Sequence, residues 1–327
     1  MRRKPLNWGI LSTARINRAL LPPLRASRRS QLLAVASRDP SAVKDYARER
    51  EIPRAYGSYE QLLSDADIDV IYNPLPNHLH TEWTVKALQS GKHVLCEKPM
   101  ALTLAEMDQI EAASRASGRV VTEAFMYRHH PQTLMVKELV DGGQIGRLQY
   151  IRGSFSYPFT RTGNFRDDPA RGGGSIWDVG CYPISYARLL AGSEPLEVYG
   201  RQVLSPSGID ETFVGQMVFA GDILAQFDSG FASPLRVQIE VVGTQGWLRV
   251  PQPYKPGRGE HILMTRGDRT EKLRVPGREL YIGEVEDMEA VALEGAAPRI
   301  PLEDSRGNLR TILALLDSAR GMSPQLV

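Results

Sequence analysis

A two-domain α/β protein, a doubly wound nucleotide-binding half followed by an α+β half, is the fold this sequence predicts. Three observations carry the prediction. The chain has 327 residues, more than one ordinary domain holds. Up to residue 125, short apolar runs alternate with amphipathic stretches, the texture of βαβ units around a parallel sheet. From Glu197 to Val250, strand-like runs follow one another without helices between them, the texture of a large, open, mostly antiparallel sheet.

In the first half the apolar runs are Trp8–Leu11, Leu32–Ala36, Val70–Tyr72, Val94–Cys96 and Val120–Ala124, each short enough for a buried strand. The spacing between them predicts helices over Arg15–Ser27, Ser41–Arg50, Tyr59–Ser64, Leu79–Ser90 and Leu104–Ala116. Thr103 and Glu106 have the spacing of a capping box, and Gly91 and Gly118 are helix stop signals. After Met126 the pattern predicts a helix over Gln132–Val140, a strand over Gln149–Tyr157, a turn at Gly172-Gly173-Gly174 and a helix running to Leu190. Strands follow at Glu197–Val203, Phe213–Phe219, Ile223–Phe227, Val237–Val242 and Trp247–Val250, with hairpin turns at Gly221-Asp222 and Gly243–Gly246. Helices over Gly283–Leu293 and Ser305–Ala319 close the chain.

Composition excludes several classes. Forty basic and thirty-eight acidic side chains leave a net charge of +2, too little for a nucleic-acid or membrane-surface partner. Two cysteines, Cys96 and Cys181, cannot build a disulfide framework and fit a reducing compartment. Arg2 and Arg3 raise the question of an export signal, but Leu6–Leu11 is shorter than the apolar core such a signal needs. No run reaches the ~18 apolar residues of a membrane span, so the cytoplasm is the expected location.

Five segments could carry chemistry. Gly9-Ile10-Leu11-Ser12-Thr13-Ala14-Arg15-Ile16 stands between the first strand and the first helix, where a dinucleotide's pyrophosphate meets backbone N–H groups. Only its first glycine is present, so a plain strand-turn-helix remains open. Ser37-Arg38-Asp39 ends the second strand, where the adenosine ribose lands. Ser37 and Arg38 offer a hydroxyl and a guanidinium to a 2′-phosphate, while Asp39 either competes for the ribose or caps the helix that Pro40 begins. The loop Asn73-Pro74-Leu75-Pro76-Asn77-His78-Leu79-His80 leaves a third strand at the ligand edge, and Asn77 also reads as a helix cap. His78 and His80 have no acidic or sulfur partner at ligand spacing, and the rings of the adjacent His129-His130 point in different directions, so no metal is expected. Cys96-Glu97-Lys98-Pro99 places a lysine at the end of a buried strand, where desolvation and a cationic nicotinamide lower its pKa and suit it to proton exchange. In Gly172 to Pro183, a helix after the glycines would set Asp178 and Tyr182 on one face, either as a proton relay or as a paired carboxylate beside a buried phenol.

Together these pieces resemble the glucose–fructose oxidoreductase/inositol dehydrogenase (Gfo/Idh/MocA) family. The resemblance runs through Gly9–Ala14, Pro76–His80, Gly91–Pro99, Glu123–Arg128 and Gly172–Pro183. It implies a Rossmann domain over residues 1–125, with the helix at 305–319 packing back on it. A substrate-binding and oligomerisation domain over residues 126–304 follows. It further implies NADP or NAD bound by Gly9, Ser12, Thr13, Ala14, Arg15, Ile16, Ser37, Arg38, Pro74, Leu75, Asn77, His80, Glu97 and Lys98. Lys98 becomes the catalytic lysine and Asp178 its acidic partner. Tyr182 stands where many members carry histidine, which looks like the sugar oxidoreductase and dihydrodiol dehydrogenase branch. Arg128, Asn164, Phe165, Arg166 and Trp177 become candidates to face a polyhydroxylated small-molecule substrate. A homodimer or homotetramer through the second domain's sheet is expected. A trans-dihydrodiol dehydrogenase and a non-catalytic dinucleotide sensor are the competing readings; retention of Lys98, Asp178 and Tyr182 counts against the sensor.

Overall fold

The computed structural model describes residues 4–159 and 163–327, so Arg2 and Arg3 lie outside the described residues. The chain divides into two compact units, Met1–Met126 with Tyr281–Ser305 and Tyr127–Leu280 with Arg306–Val327.

Among the described residues the first unit is built on a six-stranded sheet. Its strands are β1 (Leu6–Leu11), β2 (Ser30–Ala36), β3 (Arg54–Tyr56), β4 (Val70–Asn73), β5 (His93–Glu97) and β6 (Val121–Ala124). All pair in parallel, in the order β3-β2-β1-β4-β5-β6. The connecting helices are α1 (Asn17–Ala26), α2 (Pro40–Glu49), α3 (Tyr59–Leu63), α4 (His80–Gln89) and α5 (Leu104–Ser117). The Thr103–Glu106 capping box opens α5, and Gly118 ends it with φ +64°. Strand order reverses between β1 and β4, which puts the ligand crevice at the carboxyl ends of these strands. Gly9 packs closely here, since a Cβ would stand 2.8 Å from a Leu62 methyl and 3.2 Å from the Ile71 terminal methyl, both of which would have to shift. The three-residue β3 has no apolar run, and only its pairing with β2 reveals it.

The second unit carries α6 (Pro131–Asp141), β7 (Leu148–Ser156), α7 (Cys181–Ala191) and the strands β8 (Glu197–Leu204), β9 (Asp210–Phe219), β10 (Ile223–Gly230), β11 (Arg236–Gly243) and β12 (Trp247–Val250). Two strands beyond the predicted set follow, β13 (His261–Arg266) and β14 (Arg269–Arg274). In β14 charged, largely exposed residues hide the alternation that betrays a half-buried strand, whereas in β13 Ile262 and Met264 alternate into the core. The sheet runs β14-β13-β12-β11-β7-β10-β9-β8-β15, with β15 (Gln325–Leu326) at one edge. Every neighbouring pair is antiparallel except β7 with β10. The β9–β10 turn puts Gly221 and Asp222 at φ +75° and +61°.

The last two helices, α8 (Ile282–Glu294) and α9 (Leu302–Gly321), correct one expectation. The helix that returns to the first unit is α8. Its Val285 and Met288 join a core with Trp8, Leu20, Leu24 and Val35. Its buried Glu289 accepts hydrogen bonds from Ser27 and Ser30. The segment Ser305–Ala319, expected there, lies in α9, whose residues from Arg306 onward belong to the second unit. Ser318 Oγ accepts the Gly200 amide at 3.0 Å. A Cβ on Gly200 would stand 2.5 Å from the Leu315 carbonyl. Glycine in β8 is what lets the helix come so close to the sheet.

Candidate active site

In the first unit, the loop leaving β1 is held in one shape. Ser12 sits in the left-handed region at φ +71°, where the fingerprint would place glycine. Its amide donates to Ala36 O at 2.8 Å, and its carbonyl accepts from Asn17 Nδ2 at 2.9 Å. Ser12, Thr13 and Ala14 line a cavity of about 560 Å³ with Ser37, Arg38, Asp39 and Tyr59. The loops after β1 and β2 thus share one site. Arg15 lines an adjoining cavity instead, and Ile16 packs against the domain core. Asp39 resolves its two readings by acting as the N-cap of α2, its Oδ1 accepting from the amides of Ser41 at 2.9 Å and Ala42 at 3.0 Å. Tyr59 went unrecognised in the sequence because it reads as an ordinary helix start. Its ring stands edge-on to Trp83 with centroids 4.8 Å apart. Burial raises the Tyr59 phenol above its ordinary pKa, opposed by the neighbouring Arg38.

The loops after β4 and β5 stand on the same edge of the sheet. Pro74 and Leu75 are buried. Asn77 begins a short 3₁₀ turn whose N-cap position is Pro76, so Asn77 is not a helix cap. His80, expected to bind cofactor, is fully buried, and its ring nitrogens lie against two backbone carbonyls, Pro99 O at 2.7 Å and Leu75 O at 2.6 Å. That placement corrects its assignment, because a ring enclosed by its own backbone does not line the cavity. Burial pushes its pKa down to about 4. Glu97 is half-buried and accepts the Tyr72 hydroxyl at 2.6 Å. Lys98, also half-buried, begins the turn after β5. The following Met100 amide donates to Glu123 Oε1 at 2.9 Å.

In the second unit the glycine turn is built around Asp210. Its Oδ2 accepts from Ser175 Oγ and from the Ile176 amide, both at 2.7 Å. A Cβ on Gly174, which has φ +120°, would stand 2.0 Å from Asp210 Oδ1. Burial pushes the Asp210 carboxyl up to about 6. The chain then enters a π-helical turn, Ile176–Gly180, that holds Asp178. Asp178 is 9% exposed and has both oxygens engaged. Oδ1 accepts from Arg166 Nε at 2.8 Å, and Oδ2 from the Tyr157 hydroxyl at 2.6 Å. The paired-carboxylate reading therefore holds, and Arg166, expected to face substrate, has its Nε committed to Asp178. Burial works against the Arg166 charge, yet Asp178 keeps its pKa above the ordinary value. Burial, reinforced by Asp178, holds the Tyr157 phenol well above the phenol range.

Tyr182 is 5% exposed, its ring among Tyr127, Phe155 and Tyr254 at centroid distances of 5.7, 5.5 and 5.6 Å. Phe155 and Tyr157 are two apart along the chain, so Tyr182 and Asp178 address the same side of β7 and its extension. Arg128 is buried and donates to Ser185 Oγ at 3.1 Å, which makes its guanidinium part of the packing. Asn164 Oδ1 accepts the Arg166 amide at 3.2 Å, and the Arg166 guanidinium lies 4.6 Å from the Phe165 ring centroid. Trp177 is 8% exposed. Cys96 and Cys181 are free and buried, and burial raises the Cys96 thiol far above reactive values. Among the described residues, no group of three or more His, Cys, Asp or Glu could hold a metal ion, and no helix is long and apolar enough to cross a membrane.

Comparison with known proteins matches residues 6–125 to the oxidoreductase family's NAD-binding Rossmann fold and residues 133–249 to the GFO/IDH/MocA C-terminal domain. The chain is 34% identical over 317 residues to D-xylose 1-dehydrogenase (NADP(+)) 2 of Haloferax volcanii, covering 95% of this chain and 97% of that protein. It is 34% identical over 247 residues to trans-1,2-dihydrobenzene-1,2-diol dehydrogenase of Xenopus laevis, covering 75% and 74%. Among solved structures, a 3-ketoreductase from Actinomadura kijaniata in complex with NADP and TDP-benzene superposes with a TM-score of 0.91 at 28% identity, covering 96% and 98%.

Proposed function

We propose, for a chain that belongs to the GFO/IDH/MocA family of oxidoreductases, that it is a cytoplasmic NADP-dependent enzyme interconverting a hydroxyl and a carbonyl on a sugar-like substrate. The observation that carries this reading is the row of loops at the carboxyl edge of the six-stranded sheet. Ser12–Ala14 and Ser37–Arg38 share one cavity, and Lys98 ends β5 on the same edge. The residues suit a dinucleotide. The Thr13 amide in the Ser12–Ala14 turn would meet the pyrophosphate, the Ser12 amide being committed to Ala36 O and the Ala14 amide to Ser12 Oγ. Ser37 and Arg38 would hold the 2′-phosphate, while Asp39 is held as a cap. NADP supplies the hydride acceptor or donor. The protein's part is to bind and orient, and to move the proton of the reacting hydroxyl. We assign that proton to Lys98 and Tyr182. Asp178, with both oxygens engaged by Arg166 and Tyr157, orients the site without abstracting a proton itself. The xylose dehydrogenase and the ketoreductase among the relatives support a carbohydrate substrate. The likeness to the Xenopus enzyme favours a cyclic diol as the second reading. Exposed Val203, Leu204, Val214 and Leu224 on β8–β10 support pairing of two copies through the open sheet.

The test is a panel of sugars, polyols and cyclic diols assayed for change in NADPH absorbance, with wild type and Lys98→Met compared. A positioned acid–base group contributes about 10²–10⁴-fold, so Lys98→Met should lose that much turnover while still binding NADPH by fluorescence titration. Near-normal turnover in Lys98→Met would overturn the assignment. Tight NADPH binding with no turnover of any panel member would favour a regulatory sensor.

A further inference from the structure

His80 is fully buried at the start of α4, yet it reaches two separate loops. Its Nδ1 lies 2.7 Å from Pro99 O, in the turn after β5, and its Nε2 lies 2.6 Å from Leu75 O, in the loop after β4. Each loop has a second anchor. Asn73 Nδ2 donates to His80 O and to Thr84 Oγ1, both at 3.1 Å, and Asn73 Oδ1 accepts the Leu75 amide at 3.4 Å. Glu123 Oε1 accepts the Met100 amide at 2.9 Å. The chain just after Lys98 is therefore gripped at consecutive residues, by His80 at the Pro99 carbonyl and by Glu123 at the Met100 amide.

We propose that His80 is a positioning residue, a clasp that ties the Leu75 loop to the Lys98–Pro99 turn and fixes Lys98 relative to the wall beside it. The proposal rests on the role given to Lys98 above. The ring touches neither cofactor nor substrate, since its surface is enclosed and both nitrogens face protein carbonyls. Burial lowers the imidazole pKa and the two carbonyls raise it. Both partners are acceptors, so holding both ties takes an N–H on each ring nitrogen. The two ties are separable by substitution, because an asparagine amide nitrogen falls near the position of Nδ1 and a glutamine amide nitrogen near that of Nε2.

The experiment compares His80→Leu, His80→Asn, His80→Gln and Lys98→Met in the full chain. The readouts are NADPH fluorescence titration, NADP-dependent oxidation of D-xylose or the fastest panel substrate, and amide hydrogen exchange. A displacement of about 1 Å in a catalytic group costs about 10²-fold, so His80→Leu should lose that much kcat. Its NADPH affinity should weaken about 2–10-fold, the worth of one hydrogen bond. His80→Asn should recover most of kcat but keep the weakened affinity, and His80→Gln should do the reverse. Exchange in the peptide spanning residues 98–102 should quicken in His80→Leu and His80→Gln only. In the peptide spanning 74–79 it should quicken in His80→Leu and His80→Asn only. Unchanged constants in His80→Leu, or equal losses in all three variants that simply track Tm, would overturn the clasp. Normal turnover in Lys98→Met would instead overturn the functional reading, and the exchange pattern would still decide the clasp.

Discussion

Replacing Arg38 with alanine should weaken NADP binding while leaving NAD almost untouched. Arg38 shares its cavity with Ser37 and with the Ser12–Ala14 turn, and the proposed NADP site gives its guanidinium the 2′-phosphate. A hydrogen bond to a charged group contributes about 1.5–3 kcal/mol. Arg38 is exposed, and solvent screening puts its share at the lower end of that range, about 1.5 kcal/mol or roughly tenfold in Kd. Asp39 works the other way, since it brings a negative charge to the same cavity while its Oδ1 holds the amides of Ser41 and Ala42. Asparagine also caps a helix well, so Asp39→Asn should keep the melting temperature and tighten NADP a few-fold. Asp39→Ala should lose about 1 kcal/mol of stability with the cap. Fluorescence titration of each variant with NADPH and with NADH separates these outcomes. Equal weakening of both cofactors by Arg38→Ala, or tighter NADH binding by the wild type, would refute the 2′-phosphate argument.

Two further predictions concern the second unit. Burial pushes the Asp210 carboxyl from its ordinary 3.8 up to about 6, so the folded protein holds that proton more tightly than the unfolded chain does. Ionised Asp210 then carries a penalty that is absent below about pH 4 and complete above about pH 6, of order 3 kcal/mol. Asp210→Asn should therefore gain stability relative to wild type as pH rises through that window. Urea denaturation at pH 4 and pH 7 checks it, and a gap between the two proteins that does not move with pH would count against it. Gly200→Ala would drive a Cβ to 2.5 Å from the Leu315 carbonyl, an overpacking cost of about 1–3 kcal/mol or several degrees in Tm. An unchanged Tm in calorimetry would mean that α9 does not press on β8.

What spacing could tell, and where it failed, follows from the range of each interaction. The capping box at Thr103 and Glu106 is local, and its residues name each other across three positions. Asp39 offered two local readings, and the structure selects the cap. Lys98 was found because a buried strand followed at once by proline puts a charged side chain at the sheet's edge. Tyr59 escaped because its packing partner, Trp83, lies on another helix, and α8 and α9 exchanged places because both are amphipathic helices. What separates those two helices is Gly200 in the sheet, where a Cβ would strike the Leu315 carbonyl. The same limit explains the roles that changed. Arg166 is 12 residues from Asp178, and Tyr157 is 21 away, so no periodicity links either to the carboxylate it holds. A guanidinium in a loop looks available to any anion until the fold brings one to it. His80 follows suit: its partner at Pro99 is 19 residues along the chain, reached only because β4 and β5 are neighbours in the sheet. Residue type and local spacing thus locate the candidate groups, while contacts across elements decide which of them are left to meet a ligand and which hold the others in place.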